Sequence, residues 1–191
     1  ALYDAGCRDV KFDDCTWGMI VDDNYWKNRI QEGFSRDELA EAYLKVNNDA
    51  LVDLPEDLQV TTHVCRGNYH STWAAAGGYA PIADYLFARE NVKSFYLEYD
   101  DSRSGDFAPL AKVAAGKDVV LGLVTSKHPE LEDSQTLIKR VEEASQFVPL
   151  EHLALSTQCG FASTEEVNKL TEKQQWDKIE LIIHVANQIW K

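Results

Sequence analysis

The sequence predicts an α/β fold, built as the C-terminal portion of a (β/α)8 TIM barrel with about five parallel strands. Five short runs are apolar and rich in β-branched or aromatic residues, as buried parallel strands are, and they span 9–14, 59–65, 93–100, 118–125 and 152–157. Helical patterns lie between these runs, and alternating strands and helices form parallel sheets through right-handed crossovers. Because five strands are too few to close an eight-stranded barrel, we expect an open, partial barrel.

The starts and buried faces of the helices follow from caps and periodicity. Ser35 with Glu38 is a capping-box signature, and Thr171 with Gln174 marks the start of the last helix in the same way. Three helices carry an apolar stripe that we expect to face the sheet. The stripes are Leu39, Tyr43, Val46 and Ala50; Leu137, Val141, Ala144 and Val148; and Trp176, Ile179, Ile183, Ala186 and Trp190.

Length and charge narrow the class of protein. The 191 residues, 45% of them hydrophobic, are enough for one domain that buries about 70% of its unfolded surface. We find no repeat, linker or low-complexity stretch, so we expect a single domain, 1–191, that lacks the first strands of the barrel. The formal net charge of -13 argues against nucleic-acid and membrane partners, because that attraction is carried by Lys and Arg. A small-molecule substrate is expected instead.

The lack of recognisable targeting segments and the pattern of cysteine usage predict a cytoplasmic protein. No segment approaches the roughly 20 apolar residues of a membrane span, and the N-terminal stretch lacks the pattern of a signal peptide. The 4 cysteines are spread too thinly for a disulfide framework, so we expect reduced thiols. Cys7 and Cys15 are interpreted as small buried apolar side chains, although Cys15 follows Asp13 closely enough for a metal to be near.

Four potential metal ligands stand at the ends of strand-like runs: His63, Cys65, Glu98 and Cys159. Side chains two apart on a strand point to the same face, so His63 and Cys65 can reach one ion. Zinc accepts this mixture of nitrogen, sulfur and oxygen, and ligands drawn from separate strand ends are typical of a catalytic site. A His-x-Cys pair alone is more often packing than metal binding, so spacing leaves both interpretations open.

From end to end, the chain resembles the catalytic domain of cobalamin-independent methionine synthase. It is most similar to the shorter, single-barrel methionine synthase II-like proteins, which lack the N-terminal half of the large enzyme. The stretches that carry the resemblance are AGCRDVKFDDCTWG, THVCRGNYHSTW, GGYAPIADYLF, FYLEYDDSRSGDFAPL, VVLGLVTSKHPELED, LALSTQCGFASTEEVN and QQWDKIELI.

The resemblance implies a zinc-dependent methyltransferase. It implies that His63, Cys65, Glu98 and Cys159 are the zinc ligands and that Asp13 contacts the amino group of homocysteine. In this family, zinc binds the homocysteine sulfur and lowers its thiol pKa from about 8.5. The thiolate then attacks the methyl group on N5 of a methyl-folate, and methionine and the demethylated folate leave.

The chain departs from the family in two places. Where the large enzyme has the histidine that protonates the leaving group, this chain has Lys127, with His128 one residue later, so both are candidate proton donors. The family's first barrel strands have no counterpart in these residues. Those strands carry an Ile-x-Ser loop and a Glu for homocysteine, and an aromatic platform for the folate.

Two rival functions remain open at this level. One is a zinc-dependent thiol alkyltransferase with another donor or acceptor, and the other is a non-catalytic zinc-binding partial barrel. A further hypothesis is that two copies pair through the open barrel edges. Arg103 is expected to form a surface ion pair with Asp100, Asp101 or Asp106.

Overall fold

The computed structural model describes residues 1–162, 164–165 and 167–191, and a five-stranded sheet lies at its centre. The strands are β1 (Asp9–Asp14), β2 (Gln59–Val64), β3 (Ser94–Glu98), β4 (Asp118–Val124) and β5 (Leu153–Thr157). They lie side by side in chain order, and every neighbouring pair is parallel. The predicted partial barrel of five parallel strands is therefore confirmed.

Six α-helices accompany the sheet in the described part of the chain: α1 (Thr16–Val21), α2 (Asp23–Gln31), α3 (Arg36–Asp49), α4 (Ala83–Arg89), α5 (Ser134–Ala144) and α6 (Glu172–Ile189). The predicted caps are present. Ser35 Oγ accepts from the Glu38 N–H at 3.3 Å, and Thr171 and Gln174 form a complete capping box. None of the helices in the described ranges has the length and apolar character needed to cross a membrane.

The predicted apolar face is correct for α5 and wrong for α3. All four stripe residues are buried: Leu137, Val141 and Ala144 on α5, and Val148 just after the helix ends. On α3 the buried residues are Ala40 and Leu44, whereas Leu39 and Val46 are exposed. The face of α3 is thus rotated by one residue, because the helix packs small Ala40 rather than Leu39 against the core.

The predicted face of α6 is also wrong. Trp176 and Ile183 are exposed, and the buried positions are Lys178 and Val185. The Lys178 ammonium is satisfied inside the protein, since it lies 3.1 Å from both carboxylate oxygens of Glu132. Burial of a charged lysine is costly, and the Glu132 carboxylate offsets that cost here.

The two faces of the sheet have different neighbours. The core lies between the helices and one face of the sheet. Phe95 and Leu97 of β3 point into this core, and the residues that alternate with them point to the opposite face. The opposite face carries Lys11 and Asp13 of β1, which are exposed, and His63 of β2. β1 and β5 are the two edges of the sheet, since each pairs with a neighbour on one side only.

Candidate metal centre

Three potential metal ligands converge at the carboxyl ends of the strands. One donor atom each of His63, Cys65 and Cys159 lies within 4.8 Å of the other two. His63 lies near the end of β2, Cys65 comes one residue after that strand, and Cys159 comes two residues after β5. Residues two apart along an extended chain, such as His63 and Cys65, share a face. One imidazole nitrogen and two sulfurs make up a donor set that zinc accepts, so these residues fit a metal ion.

The His63 ring is held at both nitrogens. Nδ1 lies 2.9 Å from Asp13 Oδ1, and Nε2 lies 3.0 Å from the backbone oxygen of Gln158. Burial lowers the pKa of His63, but the hydrogen bond with Asp13 and the charges of Cys159 and Glu98 outweigh it, so the pKa is raised. A histidine that binds metal through one nitrogen typically donates the other to a carboxylate, as His63 does to Asp13.

The thiols of the cluster are close enough to interact. The hydrogen bond with Cys65 and burial raise the pKa of Cys159. Cys15 also hydrogen-bonds to Cys65, and burial raises the pKa of its thiol despite that bond. Cys15 is exposed, so its interpretation as a buried apolar side chain is wrong. A bound divalent cation acts in the opposite direction, because it favours the thiolate form.

Glu98 lies beside the three-residue cluster and is fully buried. Its Oε1 is 3.8 Å from His63 Nε2. Both carboxylate oxygens already accept hydrogen bonds, Oε1 from the Arg66 backbone N–H at 2.8 Å and Oε2 from Arg103 Nη2 at 2.7 Å. Its role as a fourth metal ligand therefore stays a prediction.

Arg103 is a buried charge rather than the surface residue that we expected. Its side chain is only 4% exposed, and it bridges Glu98, Asp100 and Asp101. Asp100 is buried with it, since its side chain is 3% exposed. The surface interpretation is wrong because the loop after β3 folds back over the strand end and covers the guanidinium.

The two candidate proton donors lie in different surroundings. Lys127 is buried, and its Nζ lies 3.8 Å from Glu98 Oε2 and 3.7 Å from Asp100 Oδ2. That ammonium has no hydrogen-bond partner among the described residues. His128 is exposed. The lysine side chain therefore borders the site, next to its carboxylates.

The two aspartates at the end of β1 point to opposite faces, as adjacent residues of a strand must. Asp13 faces His63, its side chain is 70% exposed, and its pKa is lowered chiefly by that hydrogen bond. Asp14 accepts from the Tyr43 hydroxyl at 2.7 Å and from Asn47 on α3. The predicted contact of Asp13 with substrate remains a prediction.

Backbone groups also shape the site, and sequence reasoning missed them. The Gln158 carbonyl reaches His63 because β4 has a glycine, Gly122, beneath it. A Cβ at Gly122 would lie 2.6 Å from Gln158 Cα and 2.7 Å from the Leu97 oxygen, so no other residue fits. The residue type of Gln158 carries no signal for this contact, since its backbone makes it.

Two cavities adjoin the cluster. One of about 220 Å³ is lined by Lys11, His63, Tyr96 and Cys159, with other residues of β5 and its loop. The second, of about 380 Å³, is lined by Cys65 and on its other sides by Asp13, Cys15, Gly67, Asn68, Tyr69, Thr72, Trp73 and Ala74. The second cavity falls in the usual size range of small-molecule sites.

The fold and the site together define a partial βα barrel with the donor set of a metal centre at the carboxyl ends of its strands. Two solved structures that share this fold are described as B12-independent methionine synthases, one of them provisionally. One, from Listeria monocytogenes, is provisionally described as a vitamin-B12-independent methionine synthase. It is 37% identical with a TM-score of 0.76, over 99% of this chain and 50% of that one.

A B12-independent methionine synthase from Shewanella sp. W3-18-1, in complex with selenomethionine, shares the fold. Its identity is 18% and its TM-score 0.72, over 98% of this chain and 50% of that one. Two uncharacterized Bacillus subtilis proteins match the whole chain: YxjG is 50% identical over 192 residues and YxjH 47% over 193. The chain spans about half the length of these relatives, 51% of each. No protein-family model matches the chain.

Proposed function

We propose that the chain belongs to the cobalamin-independent methionine synthase family. The proposed reaction is zinc-dependent transfer of a methyl group from 5-methyltetrahydrofolate, as its polyglutamate, to the homocysteine thiol, giving methionine. The observation that carries the proposal is the cluster of His63, Cys65 and Cys159, whose donor atoms lie within 4.8 Å of one another. The 37% identity with the Listeria protein supports it.

The proposed zinc ion is held by His63, Cys65 and Cys159, with Glu98 within reach. When bound, zinc lowers the pKa of a thiol, so that a thiolate is available at neutral pH. Asp13 keeps the His63 ring in one orientation through the 2.9 Å contact with Nδ1. Nε2 is then the proposed metal-binding nitrogen, and metal binding would replace its 3.0 Å contact with the Gln158 backbone oxygen. The exposed part of the Asp13 carboxylate is the proposed partner of the homocysteine amino group.

We assign the proton transfer to Lys127. The nitrogen that loses the methyl group must gain a proton, and a buried donor beside the carboxylates of the site is suited to supply it. The Lys127 ammonium is buried, lies 3.8 Å from Glu98 and has no hydrogen-bond partner among the described residues, so its protons are uncommitted. His128 is exposed and is the less suitable donor.

Zinc content tests the metal part of the proposal. The chain, purified without added metal, is measured by elemental mass spectrometry beside Cys65→Ser and Cys159→Ser, with Cys7→Ser as the control. Cys7 is matched because its thiol bonds to the Asp9 backbone oxygen, away from the cluster. About one zinc per chain, lost in the first two variants and kept in the control, is expected. Zinc retained in both variants would contradict the proposed ligands.

The identity of the methyl donor is tested separately. Homocysteine is incubated with the zinc-loaded chain and 5-methyltetrahydrofolate, a methylated thiol or a sulfonium compound in parallel, and methionine is measured. Methionine formed from the folate alone is the expected result. Methionine formed from another donor would favour a different thiol alkyltransferase, and none from any donor would favour a zinc-binding domain without turnover.

We also propose that two copies associate through the sheet edges. β1 and β5 each leave one side unpaired, and unpaired edge strands are prone to associate. Sedimentation velocity at several concentrations is expected to detect a dimer. A well-folded species that stays monomeric at every concentration would rule this association out.

A further inference from the structure

Three of the loops at the carboxyl ends of the strands carry residues of the proposed site. Cys65 opens the loop after β2, Lys127 lies in the loop after β4, and Cys159 lies in the loop after β5. A metal ion needs Cys65 and Cys159 at a fixed spacing, although the two residues are remote in sequence. The contacts that join these loops therefore decide whether the ligands are in place before a metal arrives.

The side chain of Asn168 links all three loops, and it is only 4% exposed. Its Oδ1 accepts from the Ser71 N–H at 2.8 Å, in the loop after β2. Its Nδ2 donates to Asn68 Oδ1 at 3.1 Å in the same loop, and to the Ser126 backbone oxygen at 3.0 Å in the loop after β4. Asn168 itself belongs to the segment after β5, where its N–H donates to the Phe161 oxygen at 3.3 Å. One buried carboxamide thus joins three separate parts of the chain.

These hydrogen bonds fix which way the Asn168 carboxamide points. A backbone N–H can only donate and a backbone carbonyl can only accept, so the oxygen faces Ser71 and the nitrogen faces Ser126. An aspartate at this position would keep the bond from Ser71. It would also bring an oxygen against the Ser126 carbonyl oxygen, which would leave buried acceptors unpaired.

The same network holds the backbone next to Cys159. The Gly160 carbonyl accepts from Asn68 Nδ2 at 2.7 Å and from the Ser126 hydroxyl at 2.9 Å. The Cys159 carbonyl accepts from the Thr157 hydroxyl at 2.8 Å. Asn68 and Ser126 are both buried. Side chains therefore hold two successive carbonyls at the proposed ligand, and a buried network of satisfied hydrogen bonds is rigid.

We propose that Asn168 is a positioning residue of the metal centre, because its carboxamide holds the Cys159 loop against the loops after β2 and β4. It acts through Asn68 and the Gly160 backbone rather than on the metal. The Cys159 loop is then ordered on folding rather than on metal binding, which raises the affinity for the metal. The inference rests on the proposed function and deepens it, since it names the residue that keeps Cys65 and Cys159 at the spacing that a metal needs.

Metal binding by matched variants tests this role. Zinc affinity is measured by competition with a chromophoric chelator. The cobalt(II) form is measured by absorption, since thiolate-to-cobalt charge transfer reports whether both sulfurs bind. Asn168→Asp has nearly the shape of the parent, and it is expected to bind zinc about tenfold or more weakly, as when other outer partners of metal ligands are lost. It is also expected to lose charge-transfer intensity.

Asn48→Asp is the matched control. Asn48 makes the same pair of bonds elsewhere, because its Oδ1 accepts from the Asn91 N–H at 2.8 Å and its Nδ2 donates to the Arg89 oxygen at 3.0 Å. It lines neither cavity of the site, and the variant is expected to bind zinc as the parent does. Equal zinc affinity in Asn168→Asp and the parent would overturn the positioning role. The same loss in Asn48→Asp would also overturn it, because reduced stability alone would then explain the effect.

Asn68→Ala tests whether the residues act as one network. This variant removes an acceptor for Asn168 and a donor to Gly160, so it is expected to weaken zinc binding as well. Asn168→Ala combined with Asn68→Ala is expected to bind little more weakly than either single variant, because residues of one network are not additive. Losses that add in full would contradict the proposal. If Asn168→Asp fails to fold in urea titrations, Asn68→Ala and Ser126→Ala decide, and unchanged zinc affinity in both would overturn the role.

Methionine formation by the same samples separates this proposal from the proposed function. Zinc binding that depends on Asn168, in a chain that transfers no methyl group, defeats the reaction and leaves the positioning role standing. Methyl transfer with zinc affinity independent of Asn168 defeats the positioning role alone. A parent that binds neither zinc nor cobalt overturns both.

Discussion

Asp13 and His63 are directly paired across β1 and β2, and their side chains meet with Asp13 Oδ1 2.9 Å from His63 Nδ1. The register of the sheet therefore places a carboxylate against the potential ligand imidazole. His63 is buried inside the site, whereas the Asp13 side chain is 70% exposed. Asp13 therefore contacts both His63 and solvent. Such a pair makes Nε2, which contacts the Gln158 backbone oxygen at 3.0 Å, the nitrogen that a metal would bind in place of that contact.

Loss of the Asp13 carboxylate is expected to weaken zinc binding without abolishing it. Asp13→Ala removes the acceptor that orients His63, and loss of such a partner typically costs about 10–100-fold in metal affinity. Competition with a chromophoric chelator measures the affinity. Asp9→Asn is the control, because Asp9 is an exposed carboxylate on the same strand that lies at its opposite end. Equal zinc affinity in Asp13→Ala and the parent would show that the pair does not support the metal.

Removal of the buried guanidinium is expected to destabilise the fold strongly. Arg103→Met leaves the buried carboxylates of Glu98 and Asp100 without their main counter-charge. Breaking a buried ion pair on one side costs roughly 3–5 kcal/mol. Urea unfolding of the metal-free chain measures the loss, and Arg103→Lys is expected to recover only part of it, since lysine lacks the planar fork that bridges several carboxylates. A loss below about 1 kcal/mol in Arg103→Met would mean that solvent or Lys127 already balances these charges.

The two candidate proton donors predict different rate effects. If Lys127 donates the proton, Lys127→Met lowers the rate of methyl transfer by about 10²–10⁴-fold, the usual contribution of general acid catalysis. His128→Asn is the natural comparison, because this neighbouring side chain is exposed, and its rate is expected to stay close to that of the parent. Single-turnover methionine formation is the measurement, with zinc content as a check on the site. A large loss in His128→Asn, with Lys127→Met unaffected, would reverse the assignment.

Local sequence patterns predict the strands. They also predict that three potential ligands meet at the strand ends: His63, Cys65 and Cys159. Buried parallel strands are continuous apolar runs, and residues two apart on a strand share a face. A parallel sheet then gathers all strand ends at one edge, which is why ligands remote in sequence meet. Local sequence pattern thus accounts for the strands that carry the site and for three of its potential donor atoms.

The remaining features depend on contacts that no local pattern records. Arg103 has an ordinary loop sequence, and only the fold of that loop reveals that it is buried against Glu98. On α6, apolar periodicity selects Trp176 for the core, but the helix buries Lys178 because Glu132, 46 residues away, satisfies it.

A buried carboxyl on the helix side of the sheet links stability to pH. Glu90 is fully buried and accepts from Trp17 Nε1 and Asn47 Nδ2. Burial, followed by the nearby charge of Asp14, raises the pKa of Glu90 from 4.5 to about 7. The native state therefore holds a proton that the unfolded chain releases between pH 4.5 and about 7.

Glu90 thus lowers the free energy of unfolding as pH rises through that window, by on the order of 3 kcal/mol in full, because one pKa unit corresponds to about 1.4 kcal/mol. Glu90→Gln cannot ionise, so its stability is expected to fall less than that of the parent between about pH 5 and pH 8. Urea unfolding at both pH values measures the difference, with Glu56→Gln as the control for an exposed glutamate.

His63 titrates in the parent and in both variants, so its contribution to the pH dependence cancels in the comparison. Parallel pH dependence in the parent and Glu90→Gln would mean that Glu90 is ionised in the folded protein, with its charge balanced by the hydrogen bonds from Trp17 and Asn47.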